Sequence, residues 1–321
     1  MAALTRLGPR TRATARIAAA IAVVIATAAT VGFGPLLRGI ASVSTGPVVV
    51  AVALAAVATA AASWRWRRVA AAIGVPVGRA DAFRTYYRSQ FLNTVLPGGV
   101  VGDVHRAYAH GRSQGRLATA ARAVAVERIA GQLVQGALTL AIVLSLGVGR
   151  ALAPLAWIAG GVLAAVVPAV AAVAATRRGR ALLRREGAML RPLLARPATL
   201  VAIVGASAVV VVAHATTFVV AALAVGVPPD PGRLIPVAVI VLAGSAIPVG
   251  VGGWGPREAV STAAFALAGL GAGTGLAVST AFGVLTTIAV APGALVLAEE
   301  RIRSRARTRR SPRMSAGGGP A

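Results

Sequence analysis

Long runs without a charged residue divide the chain. Such runs cover 17–37, 39–64, 129–149, 151–176, 197–229, 234–256 and 259–298. A helix of about 18 or more apolar residues is long enough to cross a hydrocarbon layer of about 30 Å. The pattern therefore predicts an all-α, polytopic integral membrane protein.

The runs contain segments that we predict to be full transmembrane helices. The first has a basic start, and Ala26-Thr27-Ala28 resembles a cleavage site, so a cleaved signal peptide is the alternative there. Because this apolar run continues to Leu37 and a second run follows closely, we interpret it as a transmembrane helix. The predicted helices are six in number and cover about 17–36, 47–63, 126–147, 151–175, 198–226 and 276–298.

Two shorter apolar segments, 234–249 and 259–270, flank a Gly/Pro-rich sequence at 252–256. At 1.5 Å per residue the second segment is only about 18 Å long, which is too short to cross the membrane. The pattern predicts either a re-entrant hairpin or a broken pair of short helices. Non-helical backbone at membrane depth is stable only where protein or a wet cavity satisfies its polar groups. The break should therefore line a cavity.

A similar break lies within 79–122. Phe83, Tyr87 and Phe91 recur every four residues and indicate the packing face of a helix. The following apolar stretch is interrupted by Pro97 and three glycines. In both breaks, apolar residues are followed by a proline, a glycine cluster and then a carboxylate near an arginine. The predicted topology has the chain approach the two breaks from opposite sides of the membrane. This arrangement suggests an inverted repeat with a binding site near the midplane.

Composition supports the membrane assignment and excludes other classes of protein. The chain has 321 residues and a net charge of +25, yet only 13% of its residues are charged, against about 25% in a soluble domain. The cations are dispersed between apolar runs and do not form the patch of a nucleic-acid-binding protein. The chain lacks cysteine, and no pattern predicts a metal site or a cofactor. The bias towards Ala, Val, Gly and Arg is typical of a high-GC bacterium, so we expect a bacterial cytoplasmic membrane.

The arginines predict the topology. All but four of the 33 cationic residues lie in 1–16, 65–128, 177–196 and 301–313, which are the cytoplasmic segments if the N-terminus is cytoplasmic. Both termini are then cytoplasmic. We expect a basic N-terminal segment at 1–16, a single membrane domain at 17–300 and a disordered basic tail at 301–321. Trp64 and Trp66, which lie among arginines, are interpreted as an interfacial anchor.

A few charges lie within or beside the predicted membrane segments. The acids are Asp103, Glu127 and Glu258, and Arg257 adjoins the last of them. A charge at membrane depth costs at least about 2.5–3.5 kcal/mol, so it requires a partner or a function. One interpretation is an ion pair that holds a broken helix, and the other is a headgroup or proton site. Pairing of Arg257 with Asp103, or of Glu258 with Arg106, would bring the two breaks together.

Three motifs resemble a known family. They are the sequence YYRSQFLNTVLPGGVVGDVHR at 86–106, the element Val126-Glu127-Arg128 and the sequence IPVGVGGWGPREA at 247–259. Together they resemble the lysylphosphatidylglycerol synthase transmembrane region, also called the flippase-like domain. The similarity extends over nearly the whole chain.

The resemblance implies binding of a membrane lipid and its translocation between leaflets. An anionic phospholipid or a glycolipid, including an aminoacylated lipid, is the expected partner. Larger members of the family carry a soluble aminoacyl-transferase domain, which we do not find here, so we do not expect an enzyme. The alternatives are a non-catalytic partner of envelope-assembly enzymes and, less favoured, a lipid-linked sugar transferase. The candidate site residues are Asn93, Pro97, Gly98, Gly99, Asp103, Arg106, Glu127, Arg128, Gly252, Gly253, Arg257 and Glu258.

Overall fold

Every regular element in the described part of the computed structural model is an α-helix. The structure describes residues 14, 18, 21–22, 24–30, 32–97, 99–145, 175–245 and 252–310. The helices are α1 (Gly34–Ala41), α2 (Thr45–Ala72), α3 (Arg79–Val95), α4 (Val101–Ser113), α5 (Leu117–Ser145), α6 (Arg177–Leu194), α7 (Pro197–Ala224), α8 (Pro231–Ser245), α9 (Pro256–Leu267), α10 (Ala272–Val290) and α11 (Pro292–Arg310).

Four helical stretches of the described chain are long and apolar enough to cross a membrane. They are α2, α5, α7 and the combined stretch Ala272–Glu300 of α10 and α11. These match the predicted spans at 47–63, 126–147, 198–226 and 276–298. The predicted span at 151–175 lies outside the described residues.

The prediction of one continuous helix at 17–36 is wrong. The helical stretch Val24–Thr30 and helix α1 meet at an angle of 110°. Gly32, with a φ of 88°, separates them, and Pro35 stands in the first turn of α1. A positive φ is incompatible with a continuing right-handed helix, so the chain turns here.

Each predicted break joins two helices that pack against each other. Helices α8 and α9 have 15 and 12 residues and are about 22 and 18 Å long, so neither crosses the bilayer alone. Helices α3 and α4 form the other hairpin. Their close approach depends on Gly102, because a Cβ there would overlap the Ser89 carbonyl group. Small residues of this kind let helix backbones approach each other in membrane proteins.

The C-terminal helices hold the α3–α4 hairpin from one side. The predicted packing face of α3 is confirmed, since the Tyr87 hydroxyl donates to the Ala289 carbonyl at 2.7 Å and Phe91 packs near Gly293. Ion pairs between Arg84 and Glu299 and between Arg88 and Glu300 extend this contact. Helix α11 continues to Arg310, beyond residue 301 where the sequence predicts the basic tail to begin.

Candidate functional site

Glu127 of α5 is the centre of a buried cluster of ion pairs, which we call the Glu127 cluster. Its carboxylate is fully buried. Oε1 accepts hydrogen bonds from Arg65 of α2 and, at 3.1 Å, from the hydroxyl of Tyr86 of α3. Oε2 accepts one from Nη2 of Arg106 of α4 at 2.9 Å. One carboxylate thus connects four helices, and these donors compensate for the loss of its hydration.

Arg106 is held between two aromatic rings as well as two carboxylates. Its Nη2 also donates to Oδ1 of Asp103 at 2.8 Å. Its guanidinium carbon lies 4.7 Å from the ring centroid of Trp66 and 4.4 Å from that of Tyr86. Nε and Nη1 are buried and make no hydrogen bond in the described part of the chain, so the ring faces are their neighbours. Arg106 is therefore locked in one position.

The prediction that both tryptophans of α2 anchor the chain at the membrane interface is wrong for Trp66. Trp66 is only 1% exposed, and the neighbouring Arg65 also points inwards, where Nη1 donates to the Ser207 hydroxyl at 2.8 Å. Trp64 remains partly exposed, with Arg68 stacked 5.1 Å from its ring centroid. Because α2 continues to Ala72, this stretch is an inward-facing part of a helix and not its end.

Asp103, at the start of α4, extends the cluster towards the hairpin turn. Its Oδ1 accepts from the Ser89 hydroxyl at 3.2 Å in addition to Arg106. Its Oδ2 accepts from Nδ2 of Asn93 at 3.1 Å and pairs with Nη2 of Arg128 at 2.6 Å. The carboxylate therefore has four side-chain partners, on α3, α4 and α5.

The break between α3 and α4 is held by the same side chains. The first N–H groups of a helix have no partner within the helix, and Oδ1 of Asn93 accepts one of them, from Gly102, at 2.7 Å. Arg128 donates to the Gly99 carbonyl at 2.9 Å. Gly99 has a φ of 62°, which allows the chain to turn after Pro97. The described residues of the break thus belong to the same network of hydrogen bonds as Asp103.

A polar pocket of about 180 Å³, which we call the central pocket, lies beside this cluster. A single water needs only about 10–15 Å³ on this measure, so the pocket accommodates a larger group. The Arg128 side chain is 42% exposed at its edge. Helices α2, α3, α4, α5 and α7 contribute to the walls, and the polar lining includes Arg65, Gln90, Arg128, Gln132, Gln135 and His214.

The central pocket is lined by α2, α5 and α7, which are long and apolar enough to cross a membrane. Helix α5 has 29 residues and is about 43 Å long. Arg128 lies about 16 Å and Gln135 about 27 Å from its first residue. If a hydrocarbon layer of about 30 Å is centred on this helix, both side chains lie inside it. Polar side chains at this depth are rare unless they serve a function.

A second cluster, the Glu258 cluster, starts helix α9. Oε2 of Glu258 accepts from the Gly255 N–H at 2.6 Å, as in a capping box. Its Oε1 accepts from Nη2 of Arg257 at 2.7 Å and from the Ser279 hydroxyl of α10 at 3.0 Å. The guanidinium of Arg257 stacks on Trp254, at 4.8 Å from the ring centroid. Arg257 and Glu258 are both buried. The geometry matches an ion pair that holds a broken helix.

The tips of the two hairpins meet. Gly252, with a φ of 56°, lies so close to α3 that a Cβ would be 2.6 Å from the Thr94 carbonyl oxygen. Glycine is therefore required there both for its backbone conformation and for the contact.

The charge pairs that would have joined the two breaks do not form among the described residues. Arg257 pairs with its neighbour Glu258, and Arg106 pairs with Asp103 and Glu127. Each cluster compensates its own buried charges locally, and the hairpins meet through backbone atoms instead. The two clusters are consequently separate.

The family comparison covers both hairpins. The model of the family described as the lysylphosphatidylglycerol synthase TM region matches residues 14–293. The chain belongs to this family. No curated protein and no solved structure matches it. Membership of the lysylphosphatidylglycerol synthase TM family and the apolar helices together establish a multi-pass membrane protein.

The structure sorts the predicted site residues of this family member into groups. Asn93, Asp103 and Arg128 line the central pocket. Arg106 and Glu127 lie directly behind them. The remaining described residues form the two breaks and the Glu258 cluster, and they are Pro97, Gly99, Gly252, Gly253, Arg257 and Glu258. Gly98 lies outside the described residues.

Sequence reasoning missed several residues of the pocket. Arg65 and Tyr86 bind Glu127, and neither was a predicted site residue. The positions of Gln132 and Gln135 carried a usable signal, because Arg128, Gln132 and Gln135 follow each other at i, i+4 and i+7 within an apolar run. That spacing places polar groups on one face of a membrane helix.

Proposed function

We propose that this protein binds the headgroup of a membrane lipid in the central pocket and moves the lipid between leaflets of a bacterial cytoplasmic membrane. The observation that carries the proposal is a polar pocket between membrane-length helices with a partly exposed arginine, Arg128, at its edge. A guanidinium presents a planar set of donors that suits phosphate oxygens.

The surroundings of the central pocket also suit an amphiphile. A smaller apolar cavity of about 30 Å³ adjoins it and shares Gln90 and His214 with it. Side chains of α2, α7 and α10 line this cavity, and most of them are aliphatic. A polar pocket bordered by apolar side chains suits an amphiphile.

Different residues have different roles in this proposal. Arg128 contacts the headgroup, because it reaches the edge of the pocket while still paired with Asp103. Glu127 and Arg106 position the walls and do not contact the lipid. Arg65 lines the pocket and is held in place by Glu127 and Ser207. The Glu258 cluster holds the second hairpin in place. Transport of this kind needs no chemical step, so we assign no catalytic residue.

Reconstituted vesicles with a fluorescent phospholipid test the proposal. Arg128→Gln removes a charge-assisted contact worth about 1.5–3 kcal/mol, so transport is expected to slow by about tenfold or more. Arg122→Gln is the matched control, because Arg122 is on the same helix and is paired with Glu186 outside the central pocket. It should change the rate less than twofold.

Two results would overturn the proposal. One is the absence of transport above protein-free vesicles by folded wild-type protein. The other is an unchanged rate for Arg128→Gln. If the purified protein instead retains envelope-assembly enzymes and moves no lipid, it acts as a membrane partner of those enzymes.

A further inference from the structure

Most acidic residues of the chain do not line the central pocket. All eight are within the described residues. Only Asp103 lines the pocket, with Glu127 behind it. A lipid that carries an amino group, such as an aminoacylated phosphatidylglycerol, would bind best where a free carboxylate receives its ammonium.

Neither of these carboxylates is available for such a group. Asp103 already accepts from two arginines, a serine and an asparagine. Glu127 accepts from two arginines and a tyrosine and is fully buried. Three arginines therefore face two carboxylates, and the Glu127 cluster retains one positive charge in excess.

The polar groups without partners are neutral or cationic. Gln132 lines the pocket and makes no hydrogen bond within the described chain. The amide oxygen of Gln90 accepts from the Thr59 hydroxyl, and its NH₂ group has no partner in the described part of the structure. Arg128 uses only Nη2, so its other two nitrogens remain available. His214 bonds through Nδ1 to its own helix, with Nε2 unused in the same part of the structure. The N–H groups of Arg128 and of the glutamine amides donate to phosphate oxygens and hydroxyls. His214 Nε2 accepts from a hydroxyl, because Nδ1 donates to the Val210 carbonyl.

We propose that the substrate is a lipid with an anionic, hydroxyl-bearing headgroup, such as a glycerol or sugar phosphate, and not an amine-bearing lipid. This inference depends on the transport function proposed above. The excess positive charge attracts the phosphate, and the glutamine amides of α3 and α5 bind the hydroxyls.

Transport of four acyl-labelled lipids in phosphatidylcholine vesicles tests the substrate class. Phosphatidylglycerol is expected to move at least tenfold faster than phosphatidylethanolamine or lysylphosphatidylglycerol. Phosphatidic acid, which has the phosphate without the hydroxyls, is expected to be intermediate. Equal or faster movement of the amine-bearing lipids would overturn the inference while leaving the transport function intact. If no lipid moves, the transport function itself fails.

A change of pocket charge provides the second test. Gln132→Glu adds a carboxylate beside Arg128, which removes the excess positive charge, so the ratio of phosphatidylglycerol to lysylphosphatidylglycerol transport should fall by about tenfold. Gln114→Glu is the matched control, since Gln114 follows α4, bonds to the Pro76 carbonyl and does not line the central pocket. An unchanged ratio for folded Gln132→Glu protein would contradict the assignment.

Discussion

Replacement of Glu127 by glutamine should destabilise the protein strongly. The side chain keeps its size but loses the charge that faces Arg65 and Arg106. The new amide NH₂ group also points towards one of these arginines or towards the Tyr86 hydroxyl, which are all donors here. The excess charge of the Glu127 cluster rises from one to two, around a side chain that is fully buried.

The expected loss is about 3–5 kcal/mol of unfolding free energy, which is the usual cost of breaking a buried pair. Since domains are stable by only about 5–15 kcal/mol, this is a large share of the total. The control is Glu186→Gln, because the pair between Glu186 and Arg122 is about one-third exposed. Pairs of this kind contribute about 0–1 kcal/mol.

Denaturant titration of the detergent-purified variants measures both values. A double variant, Arg65→Gln with Glu127→Gln, adds a sharper test because it restores the excess charge to one. It should be more stable than the sum of the single changes predicts, by about 0.5–3 kcal/mol. A loss below 1 kcal/mol for Glu127→Gln alone would refute the idea that this carboxylate compensates two buried arginines.

Three further changes test the hairpins. Gly102→Ala places a methyl group against the Ser89 carbonyl and should cost about 1–3 kcal/mol in the same titration, whereas a neutral result would mean that α3 and α4 are not in contact. Gly252→Ala places a methyl group on a residue with a φ of 56° and against the Thr94 carbonyl of the other hairpin. We expect a similar loss of stability together with slower transport. Normal transport would show that the hairpin tips need not meet. Ser279→Ala removes a donor to Glu258 and should cost about 1–3 kcal/mol without changing lipid selectivity, and altered selectivity would place the Glu258 cluster in the binding site.

The helices and breaks could be predicted because they depend on local properties of the chain. Long apolar runs predicted α2, α5, α7 and the α10–α11 stretch. The positions of Pro97 and Pro256 predicted where the two hairpins turn. The bend after Thr30 was missed because the apolar run continues through Gly32 without any polar residue to mark it.

The partners of the charges could not be predicted in the same way. Sequence places Arg257 beside Glu258 but does not fix their rotamers, and the pair closes because Ser279 and Gly255 complete it. In the sequence, Arg65 lies between the two tryptophans that were interpreted as an interfacial anchor, and nothing there indicates that it faces Glu127. Only the packing of α2 against α3 and α5 shows that it faces Glu127.

Native mass spectrometry of the purified protein tests the central claim most directly, because it identifies any lipid held in the central pocket. The wild-type protein and Arg122→Gln should each retain an anionic, hydroxyl-bearing phospholipid, and Arg128→Gln should lose it. Equal retention by Arg128→Gln, or no retained lipid in the folded wild-type protein, would contradict the claim that this pocket binds a lipid headgroup.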